Sequence, residues 1–237
     1  MFEKNCLDGQ AGIITGGSSG IGLGIAIELA RHGAKLTITG RNEEKLKKAA
    51  DLIQQESLSS HEVLICQGDV RKKESIEENL KSHKERYKRV DFLINNAAGN
   101  FLCSLEKMSE NAFQSVMGIV THGSFLWSKA VLGSMKEQKN GVILNIGAHY
   151  AFNGGPWVAH SAAAKAAVLN LTKSQAAEWG PFGINSNMII PGPIEDTEGV
   201  RRLLPDPSLK KSFTKMIPLQ RMGKTIDIAA MAIFLLT

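Results

Sequence analysis

Cysteine is scarce in this chain. Three occur in 237 residues, Cys6, Cys66 and Cys103. They lie far apart and form no Cys-x-x-Cys pair, so neither a disulfide scaffold nor a thiolate zinc site is expected; reduced, mostly buried thiols are. Long apolar runs are missing as well. None reaches the roughly 18 residues needed to cross a bilayer, which argues against a transmembrane segment. The opening residues Met1-Phe2-Glu3-Lys4-Asn5-Cys6 hold no apolar signal core, so export is not expected. A glycosylation sequon at Asn170-Leu171-Thr172 falls inside a helical pattern and is not expected to be modified. There is no His-Glu-x-x-His, no metal-ligand spacing, no internal repeat and no low-complexity tract, and no metal is expected.

Charge of one sign is not concentrated either. The net charge is +5. Lys45, Lys47, Lys48, Lys72, Lys73, Lys81, Lys84 and Arg86 alternate with glutamates at helical spacing. That pattern describes solvated helix faces, so no nucleic-acid partner is expected. A mildly positive field does suit phosphorylated ligands. With 43% hydrophobic and 22% charged residues, the chain has the composition of a globular domain large enough for a real core.

Short apolar runs alternate with amphipathic stretches. Strands are expected at 11–15, 35–39, 63–66, 91–95, 142–146 and 184–190. Helices are expected at 21–32, 43–56, 74–87, across 109–136, at 157–179 and from about 225. Such alternation implies an α/β fold: a doubly wound, Rossmann-like parallel sheet in a single domain, with helices on both faces. Trp127, Trp157 and Trp179 read as core or helix-packing residues. The least regular stretch is 195–215, with Pro205 and Pro207; it follows a strand's carboxyl end, where a substrate lid would sit.

The first strand runs into Thr15-Gly16-Gly17-Ser18-Ser19-Gly20-Ile21-Gly22 and then a helix. Glycines at 16, 20 and 22 let backbone approach a pyrophosphate, and the helix start offers N–H donors. Gly16, Ser18, Ser19, Gly20, Ile21 and Gly22 are thus candidate cofactor-binding residues. Strand two ends Ile38-Thr39-Gly40-Arg41, where an NAD enzyme would carry an acid. A cation at Arg41 suits the 2′-phosphate of NADPH.

The ends of later strands carry Gly68-Asp69-Val70, Asn95-Asn96-Ala97-Ala98-Gly99 and Pro191-Gly192-Pro193-Ile194. With the glycine loop, these resemble the ordered motifs of the short-chain dehydrogenase/reductase family from residue 9 to about 223. The resemblance implies that Asp69 and Val70 contact adenine, that Asn96 and Ala97 line the cofactor, and that Pro191, Gly192, Pro193 and Ile194 border the nicotinamide. The family usually continues past this point with a seventh strand, so residues 1–237 read as one NADP-binding domain whose carboxyl-terminal strand is absent.

The family pairs a tyrosine with a lysine four residues later. Here Lys165 is present, but Ser161 holds the tyrosine position, and Tyr150 lies fifteen residues upstream. Asn100-Phe101 follows the Ala97-Ala98-Gly99 run. At these three points the chain is similar to the 2,4-dienoyl-CoA reductase branch, of the peroxisomal type. The implied chemistry is NADPH-dependent reduction of a dienoyl thioester in unsaturated fatty acid β-oxidation. Tyr150 and Asn100 would bond the thioester carbonyl, Lys165 the nicotinamide ribose, and Ser161 would support cofactor or substrate. Phe101 would line the substrate site, and Arg201, with Arg202, is placed to meet coenzyme A phosphates. His149 and His160 flank the site and read as shape or hydrogen-bonding residues. Alternatives are a trans-2-enoyl-CoA or carbonyl reductase of the same family, or a catalytically silent nucleotide-binding protein. The resemblance also implies a homodimer or homotetramer paired through the helices of 109–136 and 157–179. Its compartment would be the peroxisome, or alternatively the cytoplasm or mitochondrion.

Overall fold

The apolar runs pair side by side as one parallel sheet. The structure is a computed structural model that describes residues 2–58, 62–203 and 206–237; Pro205 lies outside the described residues. In chain order the elements are β1 Ala11–Thr15, α1 Gly20–Arg31, β2 Lys35–Gly40, α2 Glu43–Glu56, β3 Leu64–Gln67, α3 Lys73–Tyr87 and β4 Phe92–Asn95. Next come α4 Glu110–Met117, α5 Gly123–Gln138, β5 Gly141–Ile146, α6 Tyr150–Asn153, α7 Ala159–Trp179 and β6 Ile184–Ile189. The chain then forms α8 Glu198–Leu203, α9 Pro207–Met216 and α10 Thr225–Leu236. The spatial order is β3-β2-β1-β4-β5-β6. The winding reverses between β1 and β4, so the cleft above their carboxyl ends is the place for a ligand.

Each central strand is apolar on both faces because helices cover both. Ile14, Phe92, Ile94 and Leu144 join Leu29, Leu46 and Ile233 of α1, α2 and α10 in one core layer. Their neighbours Ile13, Leu93 and Ile143 face the other way, onto Ile76, Trp127 and Met135 of α3 and α5. Gly12 stands opposite Phe92 in the ladder. A Cβ there would lie 2.0 Å from the Phe92 ring, so glycine is what admits the aromatic into the core.

Several expectations need correction. Trp157 is 58% exposed, with φ of 62°, and precedes α7 instead of opening it. A residue held at positive φ cannot sit in a right-handed helix. The 195–215 stretch is more regular than expected. It forms α8 and α9, the latter begun by Pro207 and capped by Asp206, whose carboxylate accepts from the Ser208 N–H at 2.7 Å. The 109–136 stretch is interrupted by a π-turn at Gly118–His122 between α4 and α5. Of the cysteines only Cys66 is buried; Cys6 and Cys103 are half-buried. Among the described residues, no helix is long and apolar enough to cross a membrane.

Candidate active site

The strand ends are stitched together at the switch point. Gly16 N–H donates to the Thr39 carbonyl at 2.9 Å, and Gly68 N–H to the Gly40 carbonyl at 2.9 Å. The buried Thr15 hydroxyl accepts from the backbone N–H groups of Asn96 and Ala97, both at 3.0 Å. Asn96 in turn donates its amide to the carbonyls of Thr15 and Gly16, at 3.0 and 3.1 Å. The glycine loop and the loop after β4 are thereby one rigid surface. Thr15 has no outstanding sequence signal for this role; only the parallel pairing of β1 with β4 reveals it.

The glycine loop is shaped for close approach. Gly16 has φ of 64°, and a Cβ there would come within 3.0 Å of the Ala97 backbone. A Cβ on Gly22 would lie 2.4 Å from the Asn96 amide and 2.5 Å from the Gly16 carbonyl. At the start of α1, Ser19 occupies the N-cap without a side-chain hydrogen bond, and the first turn holds no acid. The N–H donors of Ile21 and Gly22 therefore face no competing carboxylate. Ser18 lies beside Gly40, whose Cβ would be 3.6 Å from the serine oxygen. Arg41 is exposed at the end of β2, its carbonyl bonded by the Gln67 amide at 2.9 Å.

Asp69 is engaged by Arg71, which donates Nε at 3.0 and 3.1 Å and Nη2 at 2.5 Å to its carboxylate. That guanidinium holds the carboxyl down at about 2. Val70 packs where a Cβ on Gly123 would fall at 2.7 Å, which fixes the close start of α5.

The other end of the cleft gathers residues distant in sequence. Tyr150 opens α6 directly after β5, and Ser161 and Lys165 lie one turn apart on α7. The Tyr150 and Ser161 hydroxyls are 3.1 Å apart. The Asn100 amide donates to the Tyr150 oxygen at 3.4 Å, while its own oxygen accepts from the Phe101 N–H at 2.9 Å. Burial raises the Tyr150 pKa, opposed by the bonds from Ser161 and Asn100, so the phenol is protonated at neutral pH. Lys165 is buried, donates to the Ile146 carbonyl, and is pulled down to about 8 by that burial. His149 is exposed, with its ring 5.2 Å from that of Tyr150.

The segment after β6 roofs this cleft. Pro191 and Ile194 are buried, Gly192 is exposed, and Pro193 accepts the Gly223 N–H at 2.9 Å. Glu195 N–H donates to the Gly223 carbonyl at 2.9 Å, so the excursion from 195 to 222 is tied shut at its base. Thr197 sits above the glycine loop, 3.7 Å from where a Gly20 Cβ would be. Arg201 is exposed on α8. It is Arg202 that reaches the loop after β4, donating Nη1 to the Asn100 carbonyl at 3.3 Å while Nη2 pairs with Glu198. The i,i+4 pair is visible in sequence; the contact with Asn100 is not.

A family model described as short chain dehydrogenase matches residues 10–207. A Bacillus subtilis protein named probable 2,4-dienoyl-CoA reductase [(2E)-enoyl-CoA-producing] is 42% identical, the match covering 98% of this chain and 91% of the relative. A Danio rerio protein named peroxisomal 2,4-dienoyl-CoA reductase [(3E)-enoyl-CoA-producing] is 40% identical, over 99% of this chain and 78% of the relative. Among solved structures, a short chain dehydrogenase from Bacillus anthracis superposes with a TM-score of 0.87 at 41% identity, over 97% of this chain and 89% of the other.

Proposed function

Because the chain belongs to the short-chain dehydrogenase family, we propose that it reduces 2,4-dienoyl-CoA thioesters with NADPH. The observation that carries this reading is the convergence of Tyr150, Asn100 and Ser161, with serine and not tyrosine one turn before Lys165. A carbonyl reductase needs an acid at the carbonyl it reduces. Here the phenol is made a poorer acid by burial and its partner is an amide with no proton to give up, which suits bonding to an oxygen that gains negative charge without being protonated.

The residues of the nucleotide end fit a dinucleotide. Gly16, Ser18, Ser19, Gly20, Ile21 and Gly22 form an anion cradle at the start of α1, open to close approach and free of acids. Arg41 would take the 2′-phosphate, with no carboxylate beside it in sequence to repel the ligand. Asp69, Val70, Asn96 and Ala97 would line the adenine and central portion, and residues 191–194 the nicotinamide. Residues 191–194 and Lys165 would hold the nicotinamide end, whose chemistry would be hydride donation towards the far end of a conjugated chain.

The protein's own part is electrostatic. Tyr150 accepts from Asn100, and accepting from Ser161 as well would leave its own proton free for the thioester oxygen. Asn100 is fixed in orientation by the Phe101 N–H and keeps a second amide proton for the same oxygen. As that oxygen becomes an enolate, both donors strengthen, which is where such preorganised groups lower a barrier. Lys165, held by the Ile146 carbonyl, would orient the ribose. A proton from solvent completes the reduction at carbon. The relatives' names differ in the product, (2E)- against (3E)-enoyl-CoA, so the new double bond is to be located by NMR of the product.

The deciding experiment follows loss of NADPH absorbance with a 2,4-dienoyl-CoA, a trans-2-enoyl-CoA and a plain aromatic ketone. We expect the highest kcat/KM for the dienoyl thioester; a maximum for the ketone overturns the reading. A second copy of the chain would pack on the shallow groove between α4, α5 and α7, lined by Met117, Thr121, Phe125, Ala167 and Leu171. Sedimentation equilibrium giving only monomer refutes that assembly. A peroxisomal setting accords with relatives of that name. Imaging of the full-length protein beside a peroxisomal marker tests it.

A further inference from the structure

Two histidines among the described residues are wholly buried, and they are treated in opposite ways. His83, between α3 and β2, has both ring nitrogens bonded, Nδ1 to the Thr37 hydroxyl at 2.7 Å and Nε2 to the Arg89 carbonyl at 2.9 Å. His160 is equally buried, yet neither of its ring nitrogens has a partner among the described residues. Burial lowers its pKa, so it is a neutral imidazole with one donor and one acceptor. A buried polar atom without a partner is unfavourable, and a structural histidine is expected to look like His83.

The position of His160 gives its orphan nitrogens a use. It immediately precedes Ser161 in the first turn of α7. Its ring lies against that of Phe101, with centroids 4.3 Å apart and planes tilted by 48°. Phe101 adjoins Asn100 and belongs to residues 96–104, which hold no helix or strand. Its ring packs against the cluster of Val116, Val120, Ala164 and Val168, so moving it gives up that contact but breaks no helix or strand. With that ring moved aside, a flat conjugated thioester would reach the imidazole from its edge, where the N–H points.

We propose that His160 is a substrate-binding residue: the acyl thioester displaces the Phe101 ring and accepts a hydrogen bond on its carbonyl oxygen from the neutral imidazole N–H, beside Tyr150 and Asn100. This rests on the thioester reading above and adds a third donor to it. No proton is transferred, because a neutral imidazole is far too weak an acid. The bond orients the thioester and strengthens as its oxygen gains charge.

The test is His160→Phe, which keeps an aromatic ring against Phe101, somewhat larger than the imidazole, and removes both nitrogens. The melting temperature should change by only a few degrees, the loss of two unpaired buried atoms offsetting the strain of a larger ring. The kcat/KM for 2,4-hexadienoyl-CoA should fall by about tenfold or more, and the Kd of unreactive hexanoyl-CoA should rise by a similar factor. NADPH affinity should not change. Unaltered kcat/KM and Kd in a folded variant overturn the proposal. The unmutated protein supplies a second measurement, in which hexanoyl-CoA should move the nitrogen NMR resonances of His160 and leave those of His83 in place. Normal dienoyl-CoA turnover without that movement sinks the His160 role alone. Thioester binding with the movement but no dienoyl-CoA turnover sinks the reductase reading and leaves the His160 contact standing.

Discussion

Replacing Tyr150 with phenylalanine separates the role of one oxygen from everything else in the site. The ring, and its edge contact with His149 at 5.2 Å, would remain. What goes is the hydroxyl that lies 3.1 Å from Ser161 and 3.4 Å from Asn100. In the resting protein this removes two weak bonds and leaves the buried Ser161 hydroxyl short of a partner. The stability loss should be about 1–3 kcal/mol, or a melting shift of several degrees in a chain of this size. In the transition state it removes a donor from an oxygen that has just become charged, worth about 2.7–4 kcal/mol. The kinetic effect should therefore dominate: kcat down by about 10²–10³, with KM changed much less, because the bond strengthens only as charge develops. Ser161→Ala removes one bond to Tyr150 and no donor to substrate, so a loss of about fivefold is expected. Steady-state kinetics of both variants on 2,4-hexadienoyl-CoA decide the matter. Full activity in Tyr150→Phe together with none in Ser161→Ala would refute the displaced-tyrosine mechanism.

Three further outcomes are expected. Arg41→Asp should weaken NADPH binding and spare NADH, since it exchanges attraction for repulsion at the 2′-phosphate; equal Kd values for both cofactors in the unmutated protein would rule this out. Lys165, lowered to about 8 by burial, is charged below that pH and neutral above it, so NADPH affinity should decline as pH rises through about 8, and a flat profile would exclude the ribose role. His83 is held down to about 4 by burial, whereas the unfolded chain accepts its proton near 6.5; stability should therefore drop as pH falls from 6.5 towards 4, by up to roughly 3 kcal/mol. Urea midpoints across that range should show the slope, and His83→Asn should flatten it.

Residues read in order already determine much of this protein. Backbone preferences and hydrophobic period act within a few residues, so the alternating strands and helices, the glycine turn after β1 and the cation after β2 are legible without coordinates. So is the anomaly of Ser161 before Lys165, because both lie on one helix at a spacing that cannot vary. What the tertiary structure decides is which side chains meet. Asn100 and Tyr150 are brought together only because β4 and β5 are neighbours in the sheet, and Arg202 reaches Asn100 only because the segment after β6 folds back over the cleft. Trp157 looks like a core residue in composition, yet its positive φ places it outside the helix and in solvent. The two buried histidines carry the point furthest. Nothing in the sequence around His83 or His160 tells which finds partners, because a hydrogen bond depends on distances of about 3 Å between groups from separate elements, and only the packed fold sets those.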